Sequence, residues 1–104
     1  MLTVMVHAKI KQEMVNGYLD LIAMLVKETT KKGCHFYAFN QSIEDPTEFV
    51  LYEQWESQED FDNHIKELFV ILGPAKPGDP IPEKLMNMYE KATPVFYKVI
   101  GTNA

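Results

Sequence analysis

The chain is poor in residues that cross-link or bind metal. Its 104 residues include a single cysteine, Cys34. One thiol cannot close an internal disulfide or hold a zinc ion alone, which excludes a disulfide scaffold and a cysteine-based zinc site. We interpret Cys34 as a small hydrophobic residue of a strand. His7, His35 and His64 lie far apart without ligand spacing, so we predict no metal site.

Positive charge is also scarce. Ten Lys and Arg residues stand against fifteen Asp and Glu residues, and the net charge is −5. No basic cluster could contact phosphates, so we exclude nucleic-acid binding and, for the same reason, a membrane-surface role. No apolar run approaches the ~20 residues of a membrane span, and no basic-then-apolar leader opens the chain. We expect a cytoplasmic protein.

Apolar residues, by contrast, are abundant. Hydrophobic residues make up 46% of the chain and aromatic residues 12%. The length fits one domain over residues 1–104, and a domain this small has a thin core. We therefore expect part of the apolar surface to be buried against a second subunit or around a ligand.

Hydrophobic periodicity predicts the first two elements. Apolar residues alternate from Val4 to Ile10, which indicates a strand. A helical period follows over residues 14–29, although Asn16 could cap a helix that begins later. Lys31 and Lys32 suit the negative end of the helix dipole, and Gly33 suits a left-handed C-terminal cap.

The middle of the chain predicts a hairpin and a second helix. Strands over residues 34–40 and 48–55 flank a turn that contains Asp45-Pro46. Ser57 and Asp60 have the spacing of a capping box at the start of a helix that Gly73 ends.

The last third predicts a loop, a short helix and a strand. Four prolines make residues 73–82 extended and stiff. Pro82 suits the first residue of a short helix through Lys91, and residues 93–100 complete the sheet. The order βαββαβ predicts an α+β, ferredoxin-like split βαβ domain with a four-stranded antiparallel sheet. Its helices cover one sheet face, and apolar residues on both faces favour a partner on the other.

The hairpin and second helix also carry a family pattern. The order and spacing of their residues resemble the antibiotic biosynthesis monooxygenase family, strongly over residues 33–65, compatibly over residues 2–32 and weakly after Gly73, where the proline-rich loop is longer. The residues concerned are Gly33-Cys34-His35-Phe36-Tyr37, Asp45-Pro46, the strand Phe49 to Trp55 with its Glu53, then Ser57 and His64.

The resemblance implies a homodimer in which two sheets meet as a dimeric α+β barrel. Characterised relatives oxidise quinols or polyphenolic aromatics with molecular oxygen, without metal or flavin. Others degrade haem, isomerise substrates or only bind small ligands, so the family is firmer than any activity. We expect no cofactor. Haem-degrading relatives keep a ligand histidine farther along the second helix, where residues 67–72 here have none.

Cofactor-free oxygenation needs a base, a dry pocket and a donor for the developing negative oxygen. His64 borders the apolar stripe of its helix and titrates near neutrality, so it is the first candidate base. Glu53 shares a strand face with apolar residues and could orient His64 or take the proton itself. Each could instead be a buried structural residue bonded to the backbone or to a tyrosine.

Three further residues are candidate substrate contacts. Trp55 could wall the pocket or simply belong to the core, and Tyr37 could donate a hydrogen bond to a substrate oxygen or be a strand aromatic. His7, on the mixed face of the first strand, could also reach the pocket. We interpret the protein as a cofactor-independent monooxygenase for a small quinol or phenolic aromatic. The alternatives are a small-ligand-binding or stress-related dimer without turnover, and an isomerase. The loop over residues 74–82 could cap the pocket, reach the other subunit or merely connect.

Overall fold

The computed structural model describes residues 1–30 and 32–103, and its elements follow the predicted order. The described residues include no helix long and apolar enough to cross a membrane. The elements are β1 (Leu2–Ile10), a 3-10 turn (Gln12–Met14), α1 (Val15–Glu28), β2 (Cys34–Gln41), β3 (Glu48–Trp55), α2 (Gln58–Leu72), α3 (Glu83–Met86) and β4 (Tyr89–Lys98).

The strands form one four-stranded sheet in the order β2-β3-β1-β4, with every neighbouring pair antiparallel. This is the predicted α+β ferredoxin-like fold. Because side chains alternate along a strand and directly paired residues share a face, the register assigns both sheet faces. Val4 pairs with Glu53 on β3 and with Phe96 on β4, and Tyr37 on β2 pairs with Glu53, so these four share the helix-facing side.

The core lies between that face and the helices. Tyr18 and Leu25 enter it from α1, and Leu68 and Leu72 enter it from α2. The Tyr18 ring meets Phe49 of β3 edge to face, with ring centroids 4.9 Å apart. Burying these side chains supplies the main free energy that holds the helices on the sheet.

The structure corrects the sequence expectations for both ends of α1. The helix begins at Val15, directly after the 3-10 turn, so the alternative with Asn16 as a cap is wrong. At the other end, Thr29 Oγ1 donates to the Leu25 carbonyl at 2.6 Å. Gly33 has the predicted positive φ of 71°, but it follows the helix end at Glu28 by five residues. It therefore turns the chain into β2. Lys31 lies outside the described residues.

The predicted cap of α2 is present in a modified form. Ser57 Oγ accepts a hydrogen bond from the Asp60 backbone N–H at 3.2 Å, as expected. The Ser57 hydroxyl also donates to the Asp60 carboxylate at 3.0 Å, so Asp60 reaches back to the side chain of the cap. At the far end Gly73, with φ of 93°, terminates the helix as predicted.

The C-terminal elements correct the sequence prediction. The helix expected over residues 82–91 covers only Glu83–Met86, with Pro82 as its N-cap instead of its first residue. Strand β4 begins at Tyr89, before the expected Thr93, and ends at Lys98. Tyr89 pairs with Ile10 and Lys91 with Lys9, across a register shift. Ladder hydrogen bonds to β1 override local helix propensity over these residues.

We predict that Gly33→Ala lowers the free energy of unfolding more than Gly78→Ala. Both glycines have positive φ, so each alanine costs about 1–2 kcal/mol in backbone strain. A Cβ at Gly33 would also overlap the Asp60 side chain, whereas one at Gly78 meets no atom within 4 Å. Displacing Asp60 disturbs the cap of α2 and adds about 1 kcal/mol. Urea denaturation of both variants measures the difference, and equal losses would contradict this packing role for Gly33.

Candidate active site

A cavity of about 620 Å³ lies between the helix-facing side of the sheet and the helices α2 and α3. Pro80 and Ile81, at the end of the proline-rich loop, form part of its wall. Most of the lining is aliphatic or aromatic, and its buried polar groups are few. The apolar lining includes Val4, Val6, Leu51, Leu68, Leu85 and Phe96, and its polar side chains include the buried Glu53 and His64 and the partly buried Tyr37 and Tyr89.

Glu53 is a carboxyl group almost removed from solvent. It is 3% exposed, because the alternation of β3 turns it toward α2. The indole Nε1 of Trp55 donates to Glu53 Oε1 at 2.9 Å. Burial raises the pKa of Glu53 from its ordinary 4.5 to about 7, and the hydrogen bond from Trp55 opposes that rise. The carboxyl group can therefore exchange a proton near neutral pH.

His64 lies beside that carboxyl group, on α2. Its Nε2 is 3.9 Å from Glu53 Oε1, which is too long for a hydrogen bond but close enough for electrostatic attraction when the imidazole is charged. The imidazole lies over Trp55 with ring centroids 4.8 Å apart and a tilt of 34°. It also borders a second, small pocket of about 80 Å³, whose lining includes Asn63 and Glu67.

Trp55 is a core residue, which the sequence offered as the alternative to a wall of the pocket. It is 1% exposed and does not line the large cavity, whereas the neighbouring His64 does. Its contacts include the hydrogen bond to Glu53 and ring contacts with His64, Tyr37 and Phe61. Trp55 thus contacts both ionisable side chains, Glu53 and His64, without lining the large cavity itself.

Tyr37 approaches the same group from β2. It is paired with Glu53 across the strands, and its ring meets the His64 ring edge to face at 5.3 Å. Burial, and then the charge of Glu53, raises the pKa of Tyr37 far above its ordinary range. The phenol therefore keeps its proton and remains a hydrogen-bond donor at any physiological pH.

His7 is separated from these residues by the sheet. It pairs with Val50 of β3 and Thr93 of β4, on the face that the helices leave open, and its side chain is exposed. The expectation that His7 reaches the pocket is wrong within this chain. The alternation of β1 turns Val4, Val6 and Ala8 toward the helices and His7 away from them.

A second polar group in the cavity was not foreseen. The hydroxyls of Tyr18 on α1 and Tyr89 on β4 are 3.1 Å apart, and Tyr89 lines the cavity. The sequence pattern counted Tyr18 only as a member of an apolar stripe and placed Tyr89 in a helix. A buried tyrosine hydroxyl requires a hydrogen-bond partner. This requirement was the signal that could have indicated a polar pair at Tyr18.

No set of three or more His, Cys, Asp or Glu side chains could hold a metal ion within residues 1–30 and 32–103.

A four-stranded antiparallel sheet with helices on one face and a cavity beneath them defines a ferredoxin-like α+β domain. The sequence model of the antibiotic biosynthesis monooxygenase family matches residues 1–67. The chain belongs to this family. No curated protein matches the chain significantly.

Solved structures with similar folds agree with this assignment. The structure of an antibiotic biosynthesis monooxygenase is 25% identical and aligns over 97% of this chain and 100% of its own, with a TM-score of 0.73. A Nitrosomonas europaea protein provisionally named as such a monooxygenase is 19% identical over 97% of this chain and 100% of its own, with a TM-score of 0.79. A conserved protein of Methanosarcina mazei Go1 is 24% identical over 93% and 90%, with a TM-score of 0.71. The last two show the fold alone.

We predict that the protein loses stability as pH rises from about 4.5 to 7, the interval between the ordinary and the native pKa of Glu53. In that interval the folded state binds more protons at Glu53 than the unfolded state, so ionisation favours unfolding. The loss is on the order of 3 kcal/mol. Glu53→Gln, which can still accept from Trp55, should remove this part of the dependence in urea denaturation across pH. Glu44→Gln, in the exposed hairpin turn, is the control and should leave the dependence unchanged.

Proposed function

We propose that this protein is a cofactor-independent monooxygenase that oxidises a small quinol or phenolic aromatic with molecular oxygen. Family membership supports a monooxygenase in general terms. The observation that carries the specific proposal is the Glu53 carboxyl, whose pKa of about 7 suits a base, beside His64 in a cavity whose lining is mostly apolar. The volume of about 620 Å³ lies within the usual range for small-molecule sites.

The reaction begins with removal of a phenolic proton. Glu53, as carboxylate, or His64, as neutral imidazole, takes this proton and leaves an electron-rich ring anion. The two groups lie 3.9 Å apart at their nearest atoms, so the positive charge gained by His64 would be stabilised by the Glu53 carboxylate. His64 also borders the small pocket, which offers the proton a path away from the substrate.

The oxygen step then uses electrons from the substrate alone. A ring carbon of the anion donates its electron pair to oxygen, and after protonation a hydroperoxide stands on that carbon. Loss of the carbon-bound proton and cleavage of the O–O bond release water and leave a carbonyl. In sum, one phenol and one O₂ give one quinone and one water. Tyr37, which keeps its proton, donates to the developing negative oxygen.

We predict that Glu53→Gln and His64→Ala separate the roles of these two residues. The variant that removes the true base should lower turnover by roughly 10²–10⁴-fold, and the other should cost less. If Glu53 is the base, wild-type activity should rise with pH through about 7, and Glu53→Gln should abolish that rise. Oxygen consumption with a panel of hydroquinones and naphthols measures both effects.

The chain supplies a matched control. His35 and Glu56 form another His–Glu pair, with Nε2 and Oε2 2.5 Å apart, but it is exposed and outside the cavity. His35→Ala and Glu56→Gln should leave turnover unchanged. Full oxygen-dependent turnover in both His64→Ala and Glu53→Gln would end the proposal of a protein base. Binding of the aromatics without oxygen consumption would favour the ligand-binding alternative.

We further propose that the functional unit is a homodimer joined through the open sheet face. The helices cover the face of Val4 and Glu53, so the opposite face is covered by no described residue of the chain. That face is rich in apolar and aromatic side chains, and Phe36 and Tyr97 are about half exposed. Its members include Met5, Phe36, Ala38, Val50, Tyr52, Val95 and Tyr97. A patch of this kind typically marks an interface.

We predict a solution mass near twice the 12.0 kDa of the chain. Val50→Lys places a charge in the middle of the open face and should shift the protein toward monomer. Val70→Lys is the control, because Val70 is 85% exposed on α2, away from that face. Light scattering at micromolar concentration measures the mass. A strictly monomeric wild type, or equal masses for wild type and Val50→Lys, would contradict the sheet-to-sheet dimer.

A further inference from the structure

The Tyr18–Tyr89 hydroxyl pair contributes a second polar group to the cavity wall, through Tyr89, that acid–base chemistry does not use. Tyr18 comes from α1, and its ring meets the Tyr89 ring of β4 at 5.7 Å and 67°. The hydroxyl oxygens are 3.1 Å apart. Aliphatic side chains dominate the neighbouring part of the wall, among them Leu25, Leu68 and Leu85.

The two hydroxyls carry one proton more than the hydrogen bond between them uses. Two hydroxyls carry two protons, and one proton bridges the two oxygens. Among the residues that the structure describes, neither hydroxyl has another hydrogen-bond partner. One proton is therefore left to donate. Burial raises the pKa of both phenols, so neither loses its proton at neutral pH.

The position of the two tyrosines determines which hydroxyl can donate the remaining proton to a molecule in the cavity. Tyr18 is 1% exposed and does not line the cavity, whereas Tyr89 does. When Tyr18 donates to Tyr89, the Tyr89 proton is the one left over, and it can serve a molecule in the cavity. A hydroxyl that already accepts a hydrogen bond is a stronger donor, because the two bonds polarise each other.

We propose that Tyr89, backed by Tyr18, binds a neutral hydrogen-bond acceptor of the ligand, namely a ketone or quinone carbonyl oxygen on an aromatic framework. An anionic group is disfavoured, because the carboxylate of Glu53 and the low local polarity both oppose negative charge there. The inference rests on the proposed use of the cavity as the substrate site, although it does not require turnover.

This assignment gives the cavity two recognition points at different places along the sheet. Glu53 pairs with Val4 near the start of β1, whereas Tyr89 pairs with Ile10 at its end. A ligand that presents a hydroxyl group to Glu53 and His64 and a carbonyl group to Tyr89 can bind in one orientation only. Two-point recognition would thus select which ring carbon is oxidised.

The test compares 9-fluorenone with fluorene, which has a CH₂ group in place of the carbonyl. Equilibrium dialysis should show that the wild type binds fluorenone more tightly. Tyr89→Phe should weaken fluorenone binding by about tenfold and leave fluorene binding unchanged, since one neutral hydrogen bond is lost. Tyr18→Phe should cost less, because the Tyr89 proton remains. His35→Ala, which is exposed and outside the cavity, is the control and should change neither affinity.

A second measurement separates ligand contact from a merely structural role. The carbonyl stretching frequency of bound fluorenone should be lower in the wild type than in Tyr89→Phe, as hydrogen bonding weakens the C=O bond. Equal affinities of the wild type for both probes, equal weakening of both by Tyr89→Phe, or an unchanged frequency would overturn the inference. Absence of oxygen consumption with an intact preference for fluorenone would instead contradict only the proposed oxygenation.

Discussion

Burial of the Glu53 carboxyl group is the constraint on which the arrangement of the site depends. A carboxylate removed from water is costly, and one indole hydrogen bond from Trp55 offsets only part of that cost. The result is a pKa of about 7 for Glu53. A group that destabilises the fold when it ionises is, for the same reason, able to accept a proton at neutral pH.

The two faces of the sheet carry different sets of side chains. One face carries the core, the cavity and the polar side chains of Tyr37, Glu53 and Tyr89. The other face presents aromatic residues such as Phe36 and Tyr52, whose rings meet edge to face at 5.3 Å. A four-stranded sheet with helices on one side has no other way to cover its second face than solvent or a partner.

Local sequence patterns predicted much of this structure. The period-two pattern of β3 placed Phe49, Glu53 and Trp55 on one face, and Gly73 marked the end of α2, as the structure confirms. The capping residue Ser57 was equally readable, because a cap depends on neighbours three residues away. The C-terminal segment was misread because Tyr89 pairs with Ile10, which is distant in the sequence and exerts no local signal.

The sequence by itself determined the order of the elements, the fold class, the family and the residue types available for proton transfer. The periodicity of apolar side chains and the residues of turns are local properties, so they can be recognised directly in the sequence. Only the tertiary structure decided which of these residues meet. In the tertiary structure His64 lies beside Glu53, and Trp55 contacts both of them. His7 lies on the opposite face of the sheet, and the hydroxyls of Tyr18 and Tyr89 form a hydrogen bond. Those contacts depend on strand register and on how α1 and α2 lie across the sheet, which packing fixes and local propensity does not.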